Sequence, residues 1–163
     1  MTFHAEAVDT ADKAIFYREL AQQLQGLLAG ERNLIANAAN TSALIYQSLP
    51  NLNWAGFYLM EGGELVLGPF QGKVACVRIP VGRGVCGTAV KEDRSVLVED
   101  VHAFPGHIAC DSASRSELVV PIRRDGRVIG VIDLDSPSPA RFDAEDQRGL
   151  EALADIFTAS LSS

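Results

Sequence analysis

Apolar residues recur at helical spacing at both ends of this chain and at strand spacing in between, a pattern few architectures satisfy. From Asp12 to Leu28, Phe16, Leu20, Leu24 and Leu27 share a helical face. From Glu31 to Leu49, Ile35, Ala38, Ala39, Ser42, Ile45 and Leu49 mark a second stripe, with Gly30 as the break and Pro50 as the stop. A closing helix is expected from Asp143, an N-cap with Asp146 three residues on, placing Leu150, Leu153, Ala154, Phe157 and Leu161 on one side. Strands are expected over Trp54–Leu59, Glu64–Leu67, Val74–Ile79, Ser95–Val98, Glu117–Arg123 and Arg127–Asp135, with a short helix over Val85–Glu92. Helices at both ends of an antiparallel sheet make an α+β domain.

The 163 residues fit one domain, and an apolar fraction of 47% supplies a core. The net charge of -7, with no run of Lys or Arg against it, argues against nucleic acid or an anionic membrane as partner. The first residues show no basic region followed by an apolar run, and no stretch approaches the ~20 apolar residues that span a bilayer. A cytoplasmic home is therefore expected, where thiols stay reduced. Three cysteines are too few, and odd in number, for a disulfide framework, so any pair that forms is expected to be catalytic.

Gly82-x-Gly84-x-x-Gly87 matches a dinucleotide fingerprint, with Asp100 at a suitable distance. The helix after it is too short for the usual βαβ crossover, so a structural turn is the better reading. Cys76 is expected in a strand, Cys86 at the start of the short helix, and Cys110 in a long loop over Asp100–Ser114. Free cysteines usually serve as small buried hydrophobes. Cys86 stands out because a helix N-terminus stabilises a thiolate. Cys110 stands out because Gly106, His107, Asp111, Ser112 and Ser114 give it few apolar neighbours. Three thiols and His107 could form a Cys₃His zinc set, but the spacing lacks a short knuckle, and no metal is expected.

Register around Arg124-Asp125-Gly126 decides where three acids point. A two-residue turn at Asp125-Gly126 puts Glu117 opposite Leu134, away from Asp133 and Asp135. A three-residue loop with Gly126 left-handed puts Glu117 opposite Asp133, with Asp135 on the same face, and is the expectation adopted. Two ionised carboxylates there could hold an ammonium, while crowding raises the pKa of the third and fits it to donate a proton.

Several segments together resemble the free methionine-(R)-sulfoxide reductases, a group of GAF domains. They are Asn53-Trp54-Ala55-Gly56-Phe57-Tyr58, Gly68-Pro69-Phe70-Gln71-Gly72, Gly82-Arg83-Gly84-Val85-Cys86-Gly87, Cys110-Asp111-Ser112-Ala113-Ser114, Ser116-Glu117 and Gly130-Val131-Ile132-Asp133-Leu134-Asp135-Ser136. The similarity runs over about residues 31–161, so residues 1–30 are expected to be an N-terminal helical extension and 31–163 the catalytic GAF domain. The resemblance implies that Cys110 attacks the sulfoxide, that Cys76 resolves the resulting sulfenic acid as a disulfide, and that thioredoxin recycles it. Cys86 would be an auxiliary thiol. Glu117, Asp133 and Asp135 would be the substrate-site acids, and Trp54 and Tyr58 the aromatic wall around the methyl group. No cofactor is implied, and the N-terminal helices suggest a homodimer contact. The alternative is a non-enzymatic GAF sensor of a small ligand, which would need an output partner in trans.

Overall fold

Helix starts in this protein are set by side chains that replace missing backbone partners. The computed structural model describes residues 12–108 and 113–162. Asp12 accepts from the N–H groups of Ala14 and Ile15 and opens α1 (Lys13–Leu28); Asn33 accepts from Ala36 and opens α2 (Leu34–Ser48). Asp143 and Asp146 form a reciprocal capping box that starts α4 (Ala144–Ser160), as the spacing of the two acids predicts. The shorter α3 (Gly84–Glu92) follows the glycine-rich turn, where the Gly82 N–H bonds the Gly87 carbonyl at 2.8 Å.

The strands are β1 (Trp54–Glu61), β2 (Glu64–Gly72), β3 (Arg78–Pro80), β4 (Val96–Val98), β5 (Ser116–Arg124) and β6 (Arg127–Ser136). They form a six-stranded sheet in the order β3-β2-β1-β6-β5-β4, each neighbour pair antiparallel. Among the described residues no strand pair is parallel, so the glycine fingerprint opens no βαβ unit there and is a turn. The architecture is the expected α+β arrangement.

Both faces of the sheet are covered, so β5 and β6 read as long apolar runs. Ala55, Phe57, Leu118, Val120, Ile132 and Leu134 point to one side and pack with Leu20, Leu24, Ile45, Leu150, Leu153 and Phe157 of α1, α2 and α4. Their neighbours Trp54, Tyr58, Val119 and Val131 point to the other, where they meet Val85, Cys86 and Ala89 of α3. Helix α1 also lies on α4: the Tyr17 hydroxyl donates to Asp146 at 2.5 Å, and the Lys13 ammonium to the same carboxylate at 2.7 Å.

Two expectations need correction. Val74–Ile79 is not one strand; only Arg78–Pro80 pairs, and Cys76 lies in the preceding loop. Gly72, at φ 129°, ends β2 where a Cβ would press on the Asn53 carbonyl and Trp54. The Trp54 Nε1–H then takes the Lys73 carbonyl and the Tyr58 hydroxyl the Cys76 carbonyl, so this backbone bonds to side chains instead of a strand.

The second correction concerns the β5–β6 hairpin. Arg124 pairs with Arg127, so the loop is Asp125-Gly126 alone, with φ of 54° and 76° as a type I′ turn requires. Ile122 pairs with Gly130 but Arg123 with Val128, which makes Ile129 an extra, bulged residue. Beyond the bulge, Glu117 opposes Asp135 and Val119 opposes Asp133.

Candidate active site

The turn and bulge together restore the face that matters. Glu117 and Asp135 are directly opposite, and Asp133 is two residues from Asp135, so all three emerge on the α3 side. On β1, Trp54 pairs with Asp135 and Gly56 with Asp133, which adds Trp54, Gly56 and Tyr58 to that side. Trp54, Tyr58 and the three acids line a cleft with Cys86 of α3, His107, Ile108 and Ser114. Its empty volume, counting the open mouth, is about 560 Å³.

The aromatic wall is built in layers. Trp54 stacks on Tyr58 at 5.8 Å between ring centroids and on Phe70 at 5.1 Å. Gly56 makes this possible: a side chain there would run into the Cβ of Phe70 and the edge of the Trp54 ring. The strand pairing Gly56–Phe70 lies beside a bulge at Gly68-Pro69, where the β1–β2 register shifts by one. Burial holds the Tyr58 hydroxyl protonated well past neutrality, in keeping with its role as donor to the Cys76 carbonyl.

At the floor, the Cys86 sulfur and one oxygen each of Glu117 and Asp133 lie within 4.8 Å of one another. Burial, then the charges of Asp133 and Asp135, raise Glu117 well above the usual carboxyl range. Asp133 is raised by burial too, but hydrogen bonds from Glu117, Cys86 and Asp135 pull it back. Asp133 Oδ1 is buried with no hydrogen-bond partner, an acceptor left open within the cluster. Cys86 reverses the expectation set by its helix position. Its thiol is pushed well up, first by burial and then by the neighbouring acids, which outweigh the helix N-terminus. Its pKa direction favours a neutral thiol close to Asp133 and Glu117.

Among the described residues, Cys86, Glu117 and Asp133 are the group close enough to ligate a cation. An ion there would have to displace the thiol and carboxyl protons that hold the cluster together. The Cys₃His alternative needs three thiolates at once, whereas Cys76 is disulfide-bonded and Cys86 is tied to the acids.

Of the residues singled out in the sequence, Trp54, Tyr58, Cys86, Glu117, Asp133 and Asp135 come together in the cleft, with Cys76 on the loop that Trp54 and Tyr58 anchor. Cys110, Asp111 and Ser112 lie outside the described residues, as do residues 1–11. The sequence reading gave no part in the cleft to Gly56, Phe70 or Ile108, nor to His107 apart from its place in a zinc set. A strand glycine between two aromatics was the available signal for the first. Burial and the nearby His102 lower the His107 pKa, against the pull of Asp133, which keeps its imidazole neutral.

Residues 36–162 match the family model for the GAF domain. The free methionine-R-sulfoxide reductase of Escherichia coli is 56% identical over 142 residues, covering 87% of this chain and 86% of that protein. The enzyme of that name from Saccharomyces cerevisiae is 44% identical, covering 96% and 92%. The structure of free methionine-R-sulfoxide reductase from Neisseria meningitidis in complex with its substrate superimposes with a TM-score of 0.93 at 48% identity, over 98% of this chain and 96% of that one. With a cleft of this make-up and relatives this similar along nearly its whole length, the chain belongs to the free methionine-R-sulfoxide reductases, oxidoreductases built on a GAF domain.

Proposed function

We propose that this chain reduces free L-methionine-(R)-S-oxide to methionine, with Cys110 as the attacking thiol. Its sulfur bonds to the sulfoxide sulfur, and the oxygen accepts a proton from the acid cluster. Transfer of that oxygen leaves methionine and a Cys110 sulfenic acid. The Cys76 thiol then displaces the sulfenic oxygen as water and closes a Cys76–Cys110 disulfide, and thioredoxin returns both sulfurs to thiols. Supporting this pairing, Cys76 is disulfide-bonded while Cys86 is a free, buried thiol. Cys86 helps hold Asp133, and its proton keeps it a poor nucleophile.

The observation that carries the reading is the cluster of Glu117, Asp133 and Asp135 lining one cleft with the stacked Trp54 and Tyr58, where Asp133 Oδ1 is left without a partner and burial raises the Glu117 pKa. The aspartates suit the ammonium of a free amino acid, Glu117 is the proton source, and the rings suit the methyl group. A peptide-bound residue has no such ammonium and adds bulk in its place.

The chemistry calls for a reducing compartment, the cytoplasm; among the described residues no helix is long and apolar enough to cross a membrane. A homodimer belongs to the same reading, with Ile15 on α1 and Ile35 on α2 as exposed apolar residues for such a contact to cover.

The test is anaerobic incubation of the wild-type chain and Cys110→Ser with dithiothreitol and each epimer of free methionine sulfoxide. The wild type should consume the R epimer only, and Cys110→Ser should consume neither. An inert wild type would favour a ligand sensor, and a fully active Cys110→Ser would refute the nucleophile.

A further inference from the structure

Among the described residues, the large apolar side chains left exposed are Ile15, Ile35, Val74, Val77 and Val81. Three of these five fall within one short stretch around Cys76, and Val74 and Val77, 88% and 60% exposed, flank it on either side. The stretch runs along β3, which is the outer strand of the sheet and so leaves one edge unpaired. Its charged residues Lys73, Arg78 and Arg83 are all basic and exposed, in a chain whose net charge is -7.

An exposed apolar patch on an edge strand, flanked by the basic Lys73 and Arg83 and by Arg78, which pairs with Glu64 at 3.4 Å, has the character of a protein-docking surface. The occupant follows from what lies at its centre. A disulfide is reduced by in-line approach of a thiolate to one sulfur, so a protein reductant must cover the residues beside the sulfur it attacks. We propose that the strip Val74–Val81 is the docking surface for a protein dithiol reductant, seated on Val77 and Val81 with its attacking thiolate at Cys76 Sγ. The inference rests on the proposed Cys76–Cys110 disulfide.

The exchange balances in two steps. The thiolate bonds to Cys76 Sγ as the Cys110 sulfur leaves as a thiolate. The reductant's second thiol then attacks its own sulfur in this mixed disulfide and releases Cys76. The two protons of the dithiol pass to the two released sulfurs, and the reductant departs as an internal disulfide, two electrons poorer. The valines supply apolar contact to a reductant whose reactive dithiol sits in a flat apolar surround, and the basic residues favour one of acidic surface.

Val74 also borders the cleft and is left unaltered in the test. The Val77→Asp/Val81→Asp double variant is compared with the wild type and with Ala152→Asp, a control at an exposed position on α4. Each is assayed for turnover of methionine-(R)-sulfoxide with dithiothreitol, then with thioredoxin, thioredoxin reductase and NADPH. The double variant should lose at least ten-fold in kcat/KM for thioredoxin and keep its dithiothreitol rate, while Ala152→Asp keeps both. Unchanged thioredoxin kinetics would overturn the surface, and so would a parallel loss with dithiothreitol. So would a shift from dimer to monomer without a thioredoxin effect, which would assign the strip to a second copy. If the wild type turns over with dithiothreitol but not thioredoxin, or Cys76→Ser is recycled by thioredoxin as well as the wild type, the underlying disulfide reading fails and takes the surface with it.

Discussion

Because Glu117 is buried beside Asp133 and Asp135, the folded chain keeps its proton at pH values where the unfolded chain has released it. The native state then binds more protons than the unfolded state, so stability falls as pH rises from the unfolded value through the raised native one. Glu117→Gln keeps the shape and removes that titration. Its thermal midpoint should gain on the wild type steadily from pH 5 to pH 9, while turnover falls by roughly 10²-fold or more for loss of the proton donor. A constant offset between the two melting curves across that range would show that Glu117 ionises normally. Gly56 makes a separate demand: Gly56→Ala forces a methyl group against Phe70 and Trp54. The expected cost is about 1–3 kcal/mol in urea unfolding, with weaker substrate binding because the aromatic stack must shift. Single residues were unevenly legible in the sequence. The acids and aromatics could be named, but the reversed behaviour of Cys86 could not, because a helix N-terminus is visible in sequence and complete burial beside two acids is not.

The β5–β6 hairpin shows what element-scale reading captures. The sequence places a tight turn around Arg124-Asp125-Gly126, read as three residues where the loop has two, and gives no sign that Ile129 is an extra residue. The three-residue loop expected from sequence differs from the observed register by two residues at Glu117, and because side chains alternate with period two, the same face results with a different partner. The start of α4 was legible because the Asp143–Asp146 box states it locally, whereas α2 starts at Leu34 behind the Asn33 cap and not at Glu31; the Val74–Ile79 strand was misread because its competitors, Trp54 and Tyr58, are distant in sequence. The α1–α4 pairing turns on Asp146, which is buried under Tyr17 and Lys13. Asp146→Ala leaves the Tyr17 hydroxyl unpaired and should lower the urea stability by about 1–3 kcal/mol, with the dithiothreitol rate of folded molecules unchanged. Asp143, next to it, is held down to about 2, chiefly by the Lys13 hydrogen bond. Its contribution is complete above the unfolded value near 3.8 and is lost as pH falls towards 2. Asp143→Asn keeps the cap, so the variant and wild type should converge in urea midpoint between pH 5 and pH 2.5; a gap that stays constant would deny the ion pair that role.

On the scale of the whole molecule, the sheet separates two tasks. One face packs on α1, α2 and α4 in the main core, and the other opens into the cleft under α3. Nearly all of that division was readable from hydrophobic period, since strands buried on both faces and amphipathic end helices leave little choice. The chemistry was readable only where several motifs coincided, because no single one of them specifies a reductase. The central claim is that one equivalent of free methionine-(R)-sulfoxide oxidises a specific pair of sulfurs beside a pocket for a zwitterion. Its most direct test is an anaerobic single turnover of the fully reduced chain, with methionine quantified and the cysteines mapped by mass spectrometry after alkylation. One methionine per chain, a Cys76–Cys110 disulfide and an alkylated Cys86 are expected, with the S epimer untouched. A disulfide that includes Cys86, or sulfoxide consumed with all three thiols still free, would contradict the account.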